Sequence, residues 1–182
     1  MTGVQTCALP ILTVFLLHGI YGAKEYWRYQ TERLVARGYR VVAWDAPGYG
    51  LSPLPDPFSF DVVAEAGAAL IRALGTERNV FHGHSMGGQI TPRIRLKVPE
   101  RVHGIVISST IGYFANRTKD EQEEFGRKRT APPPPGTDPV TANRMVVDSM
   151  LGPTSRGPEV DLVRHWASHT PPETVKAAVK AV

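Results

Sequence analysis

The pentapeptide Gly83-His84-Ser85-Met86-Gly87 sets a serine between two glycines, each two residues away. That spacing fits a sharp turn from a strand into a helix. Such a turn lifts a hydroxyl clear of a sheet, strains its backbone, and leaves no room for side chains two positions to either side. The helix that follows aims its first amides, with their partial positive charge, at the place where an oxyanion would form. Attack of the Ser85 hydroxyl on a carbonyl carbon is the chemistry expected. A serine hydroxyl is a weak nucleophile alone and needs a histidine base, itself oriented by a carboxylate.

The turn requires a strand before it and a helix after it, and the hydrophobic pattern predicts both. Thr13–Leu17 is a continuous apolar run ending at His18-Gly19, as a strand buried on both faces should read. A helix is expected over Ala23–Arg37, with Tyr26, Trp27, Gln30, Leu34 and Val35 along one side and Gly38 as its stop. Tyr39–Trp44 reads as a second strand leading into Asp45-Ala46-Pro47-Gly48-Tyr49-Gly50, where proline and glycine break the backbone. Val62, Ala66, Ala69, Leu70 and Ala73 recur at helical spacing up to Gly75. Val80–His82 is a third strand, a helix follows Ser85, and Val102–Ser109 is a fourth strand. Strands alternating with helices imply an α/β fold, a parallel sheet covered by helices on both faces.

The text changes after Thr110. Nine of the 16 prolines follow residue 130, four of them in Pro132–Pro135. That composition does not suit sheet strands or long helices, so 113–182 reads as an irregular helical insertion. Asp120–Arg129 is expected to be a helix with a solvated face, and Pro158–His169 one with Val160, Val163 and Ala167 facing inward. Pro92 should kink or end the helix after Ser85 about two turns on. No account of Gln89 emerges from the pattern.

Composition excludes several classes. The net charge is +4, with eleven cations and eight anions in residues 1–112 and ten and nine in 113–182. The excess is spread out, so no nucleic-acid footprint is expected. No apolar run is long enough to span a membrane. One cysteine excludes an internal disulfide framework and a multi-cysteine zinc site. Asp161, His165 and His169 share a helix face, but no HExxH pattern accompanies them, and a solvated or cavity-facing surface is expected rather than a metal site. Arg93, Arg95, Lys97 and Arg101 read as a solvated helix face. His82 and His103 read as structural, and His84 as pointing away from Ser85.

Three ordered motifs, His18-Gly19, Asp45-x-x-Gly48-x-Gly50-x-Ser52 and Gly83-His84-Ser85-Met86-Gly87-Gly88, together resemble the α/β-hydrolase superfamily. Their order and spacing look like its lid-bearing branch of esterases, lactonases and carbon–carbon bond hydrolases. The resemblance covers residues 12–112 closely and 113–182 loosely, as a partial helical lid. It implies that Ser85 is the nucleophile and that the main-chain amides of Met86 and Ile20 form the oxyanion hole. His18 would brace the oxyanion loop, and Asp45 would tie down its own turn. The implied substrate is a small ester, lactone or similar acyl compound, with no cofactor and no metal. Epoxide hydrolases and haloalkane dehalogenases of this superfamily normally carry Asp at the nucleophile position. A cofactor-free perhydrolase using the same serine, or a non-catalytic ligand-binding homologue, are the alternatives.

The family order places the acid and the histidine base after the lid. The chain is therefore expected to be an inactive piece of the enzyme, truncated at both ends, whose exposed strand edges at Tyr39–Trp44 and Val102–Ser109 favour aggregation. Residues 1–11, including Cys7, resemble the translation of a common short-read sequencing adapter and are expected to be a scar outside the fold. No Lys or Arg precedes the apolar stretch Ala8–Leu17, so no signal peptide is expected. The residues fix neither oligomeric state nor location.

Overall fold

A computed structural model describes residues 12–112 and 114–182. The adapter-like residues 1–11 lie outside the described residues. Four strands, β1 (Leu12–Leu17), β2 (Arg40–Ala43), β3 (Arg78–His84) and β4 (Gly104–Ser108), form one parallel sheet in the order β2-β1-β3-β4. β1 sits inside the sheet, and its residues are nearly all buried. Its alternation divides the core. Val14 and Leu16 meet Trp27 on one face, while Phe15 and Leu17 join the larger core on the other. Phe15 pairs in register with Phe81 of β3, and their rings stack at 4.8 Å.

Chain order decides which helix covers which face. From β1 the chain passes through a 3₁₀ turn (Lys24–Trp27) and α1 (Arg28–Val35) to β2 at the edge. It then returns across β1 through α2 (Phe60–Leu74) to β3, and α3 (Met86–Lys97) leads to β4. Crossovers of one hand place α1 on one face, and α2 and α3 together on the other. The two core clusters agree with this division.

α2 starts at Ser59, whose hydroxyl accepts from the Val62 amide, and ends at Gly75 as expected. Its buried face is Phe60, Val63, Ala64, Gly67, Ala68 and Ile71. The predicted stripe is therefore corrected: Val62, Ala69 and Ala73 are exposed. The helix is apolar on several sides, so periodicity alone admits two stripes. Gly67 belongs to the true one, since a side chain there would overlap Ile94 of α3. In the predicted Ala23–Arg37 helix, Trp27 is buried as expected, whereas Gln30 and Val35 face solvent.

α3 runs through Pro92 to Lys97, so of the two outcomes expected there, a kink or an end, the helix does not end. Proline removes the hydrogen bond to the carbonyl four residues back, here that of Gly88, and its ring crowds that carbonyl. The basic residues of this helix are not a wholly solvated face. Lys97 pairs with Glu65 of α2 at 2.6 Å, and Arg93 lies over the Phe60 ring at 5.6 Å.

Residues 114–182 are more regularly helical than their proline content suggests. They form α4 (Lys119–Thr130), α5 (Pro139–Met150), α6 (Pro158–Ala167) and α7 (Pro172–Lys180). Proline opens α5, α6 and α7, where its missing N–H would be unsatisfied anyway and its fixed φ suits the first turn. α4 carries a capping box between Thr118 and Glu121. Ala167 is buried and Val160 and Val163 half-buried, as expected, while Asp161, His165 and His169 are exposed. Among the described residues β2 and β4 are the sheet's edges, and Ile105, Val106 and Ile107 of β4 are 38%, 47% and 48% exposed. No helix among the described residues is long and apolar enough to cross a membrane.

Candidate active site

Ser85 stands between the end of β3 and the first residue of α3, with φ +52° and ψ −113°. A non-glycine residue at positive φ persists only where its surroundings hold it. Here the Ser85 amide donates to the Ser108 carbonyl at 2.9 Å. The Ser85 carbonyl accepts from the Thr110 hydroxyl at 2.8 Å and from the Gly88 amide at 3.0 Å. The flanking glycines are required by contact. A Cβ on Gly83 would overlap the Gly87 carbonyl, and one on Gly87 would overlap the Leu17 carbonyl oxygen. Both obstacles are backbone, so Gly87→Ala should push α3 off β1. A drop of about 1–3 kcal/mol is expected in urea unfolding. An unchanged midpoint would contradict the packing described.

The loop after β1 meets the start of α3 beside Ser85. The Gly87 amide donates to the His18 carbonyl at 3.1 Å, and Gly19 packs against the Ser85 side chain. Two further amides of this loop are occupied: that of Gly19 by the Tyr26 hydroxyl at 2.6 Å, and that of Gly22 by the Gly19 carbonyl at 3.0 Å. Among the described residues, the amides of Ile20 and Met86 are left without an acceptor. Both residues line the same cavity as Ser85.

His18 is fully buried, and its two nitrogens are bound in opposite senses. Nδ1 donates to the Gly19 carbonyl at 2.8 Å, while Nε2 accepts from the Ala46 amide at 3.1 Å. One neutral tautomer satisfies both bonds. Burial pushes its pKa down to about 4, against a smaller opposing effect of the Gly19 hydrogen bond. The ring sits edge-on to buried Tyr49 at 4.5 Å, and the Tyr49 hydroxyl donates to Met86 Sδ at 3.7 Å. His18 thus joins the loop after β1 to the loop after β2.

Asp45 departs from expectation. Its carboxylate accepts from the Lys24 amide at 2.9 Å and pairs with the Lys24 ammonium, so it ties down the β1 loop rather than its own turn. That turn is held by the Ser52 hydroxyl on the Asp45 carbonyl at 3.1 Å, with Gly48 and Gly50 at positive φ. A side chain on Gly50 would collide with the Asp45 carboxylate.

A cavity of about 430 Å³ opens in front of Ser85. Core residues meet residues of the helical segment there: Phe125 and Arg129 of α4, Val147 and Met150 of α5, and Val163 of α6. His84 also lines it, and its Nδ1 is engaged with the Ser108 hydroxyl at 3.3 Å rather than with Ser85. The same hydroxyl meets His82 Nε2 at 3.0 Å, and burial lowers the pKa of both histidines. His103 Nδ1 accepts from the Asn79 amide at 3.3 Å. Among the described residues no imidazole or carboxylate is hydrogen-bonded to Ser85 Oγ. Tyr26, Gln89 and Arg129 are site residues that pattern reading missed. Tyr26 was legible only as one member of a helical stripe, Gln89 only as an anomaly, and Arg129 as one charge on a charged helix.

Residues 14–180 match the family model described as the alpha/beta hydrolase family, and the chain belongs to that family. It is 35% identical over 100 residues to bifunctional epoxide hydrolase 2 of Sus scrofa, covering 53% of this chain and 18% of that protein. Among solved structures it resembles an esterase from Exiguobacterium antarcticum, with a TM-score of 0.77 and 20% identity over 96% of this chain and 66% of the other. It also resembles a thermophilic esterase from Thermogutta terrifontis, with a TM-score of 0.72 and 25% identity over 94% of this chain and 63% of the other. The chain thus spans under a fifth of the length of the first curated relative and somewhat less than two thirds of these esterases.

Proposed function

We propose that the protein carrying this chain is a serine hydrolase that cleaves a carboxylic ester, lactone or similar acyl bond of a small molecule through an acyl-enzyme on Ser85. The observation that carries this reading is the strained backbone of Ser85, which lines one cavity with Ile20 and Met86, whose amides have no acceptor among the described residues. Ser85 Oγ attacks the carbonyl carbon while a histidine base takes its proton. The oxyanion is held by the Ile20 and Met86 amides, aided by the positive end of α3. Collapse expels the alcohol, which takes up the proton, and water then cleaves the acyl-enzyme to release the acid and restore the serine. Residues 113–182 act as a lid, their α4–α6 side chains closing the cavity. The mechanism requires no metal or organic cofactor.

The likeness to an epoxide hydrolase does not extend the proposal to epoxides. Opening an epoxide with serine would leave an ether on the enzyme, which water does not cleave. An aspartate nucleophile instead leaves an ester, which water does cleave. Ser85 therefore favours acyl substrates.

The test is labelling of the complete protein with a fluorophosphonate. Modification of Ser85, absent in Ser85→Ala, is expected; a protein that stays unlabelled would instead be a ligand-binding relative. The 182-residue chain by itself has no base hydrogen-bonded to Ser85 among its described residues. It should hydrolyse p-nitrophenyl acetate no faster than its Ser85→Ala variant, and a Ser85-dependent rate would overturn that part of the reading.

A further inference from the structure

We infer that Arg129 selects the substrate of this cavity, by binding a carboxylate carried on the ester or lactone it accepts. The word substrate rests on the serine-hydrolase reading; the binding does not. Arg129 lies in the last turn of α4, half-buried, and lines the cavity that holds Ser85, Ile20 and Met86. Among the described residues it is the one formally charged side chain on that lining; the others there are apolar groups, hydroxyls, the Gln89 amide and the His84 ring.

Several cations of the helical segment are paired; Arg127 and Arg129 of α4 have no carboxylate partner among the described residues, and of these two only Arg129 is half-buried. Arg117 meets Glu121 at 3.2 Å, Lys128 meets Glu124 at 2.7 Å, and Arg164 meets Asp148 at 2.6 Å. Arg129 has no carboxylate partner among the described residues. Its guanidinium instead rests on the Phe125 ring, 3.7 Å from the centroid. Stacking covers a flat face of the group, and among the described residues no acceptor is bonded to the N–H donors along its edge. The group stays protonated although burial lowers its pKa, and that burial is the cost an anionic ligand would relieve.

The planar fork of an arginine matches a carboxylate in bidentate fashion. Arg129 also borders a second cavity of about 420 Å³ beside Pro132–Pro134. Phe125 lines the Ser85 cavity and not that one, which favours the Ser85 side as the carboxylate's seat. The substrate class that follows is a half-ester of a dicarboxylic acid, or a lactone bearing a free carboxylate.

The experiment is calorimetric titration of the complete protein as Ser85→Ala, so that no ester is consumed. Monoethyl adipate supplies the carboxylate, and diethyl adipate is the neutral control. Monoethyl adipate should bind at least about tenfold more tightly, the preference expected of a charge-assisted pair. The preference should vanish in Arg129→Met and persist in part in Arg129→Lys, which keeps a charge should the methionine variant fail to fold. Equal affinities, no measurable binding of the half-ester, or a preference undiminished in both variants would overturn the inference. Fluorophosphonate labelling of the unsubstituted protein separates the two readings. Labelling without carboxylate preference sinks the role of Arg129 alone, and preference without labelling sinks the hydrolase reading alone.

Discussion

Ser85→Ala should lower ester turnover by the complete protein by about four to six orders of magnitude while leaving its melting temperature nearly unchanged. Alanine keeps the Cβ and must adopt the same positive φ, so the backbone around the elbow is conserved and the lost atom is the nucleophile alone. Ile20→Val and Met86→Leu provide the contrast. The groups proposed to hold the oxyanion at these positions are main-chain amides, which survive both exchanges. Turnover should fall less than tenfold in either, whereas losing a donor outright costs about 10²–10³. Met86 is 2% exposed and receives the Tyr49 hydroxyl on its sulfur, so its variant should show its effect in stability first. Turnover in Ser85→Ala within a hundredfold of the parent would remove Ser85 from the reaction.

The second large effect lies in the acid limb of the stability curve. His18 is neutral in the folded protein down to about pH 4, because burial opposes its charge, whereas the unfolded chain protonates it near 6.5. Below 6.5 the unfolded state therefore binds more protons. Stability contributed by neutral His18 is complete above that pH and is lost as pH falls from 6.5 through 4. The difference corresponds to about 3 kcal/mol. His82 and His84 shift in the same direction through burial and add to the slope. Urea midpoints should be level from pH 8 to 6.5 and then decline. In an NMR titration the His18 ring should remain neutral to about pH 4. A ring that titrates near its ordinary value in the folded protein would refute the double backbone bridge.

Short apolar strands and glycine-bounded turns were legible because each is a local signal. β1, the turn at Ser85 and the end of α2 at Gly75 follow the residues that predict them. What failed depended on neighbours distant in sequence. The buried side of α2 is chosen by α3, through the contact of Gly67 with Ile94, and both candidate stripes are apolar. The partner of Asp45 is Lys24, twenty-one residues away, and no spacing rule connects them. Arg129 reads as a surface charge until its place on the wall of the Ser85 cavity is known. Proline misled most over 113–182, where its abundance was read as irregularity although Pro139, Pro158 and Pro172 each open a helix.

Pro139, Pro158 and Pro172 have a use for anyone redesigning the cavity wall. Each sets where a helix begins without calling on any residue inside it, because the ring restricts the chain before folding starts. Libraries aimed at new specificity should therefore hold these three positions constant and randomise the inward residues that follow them, such as Val147 and Val163. Variation placed there leaves the phase of each helix, and so the direction of its side chains, as it is.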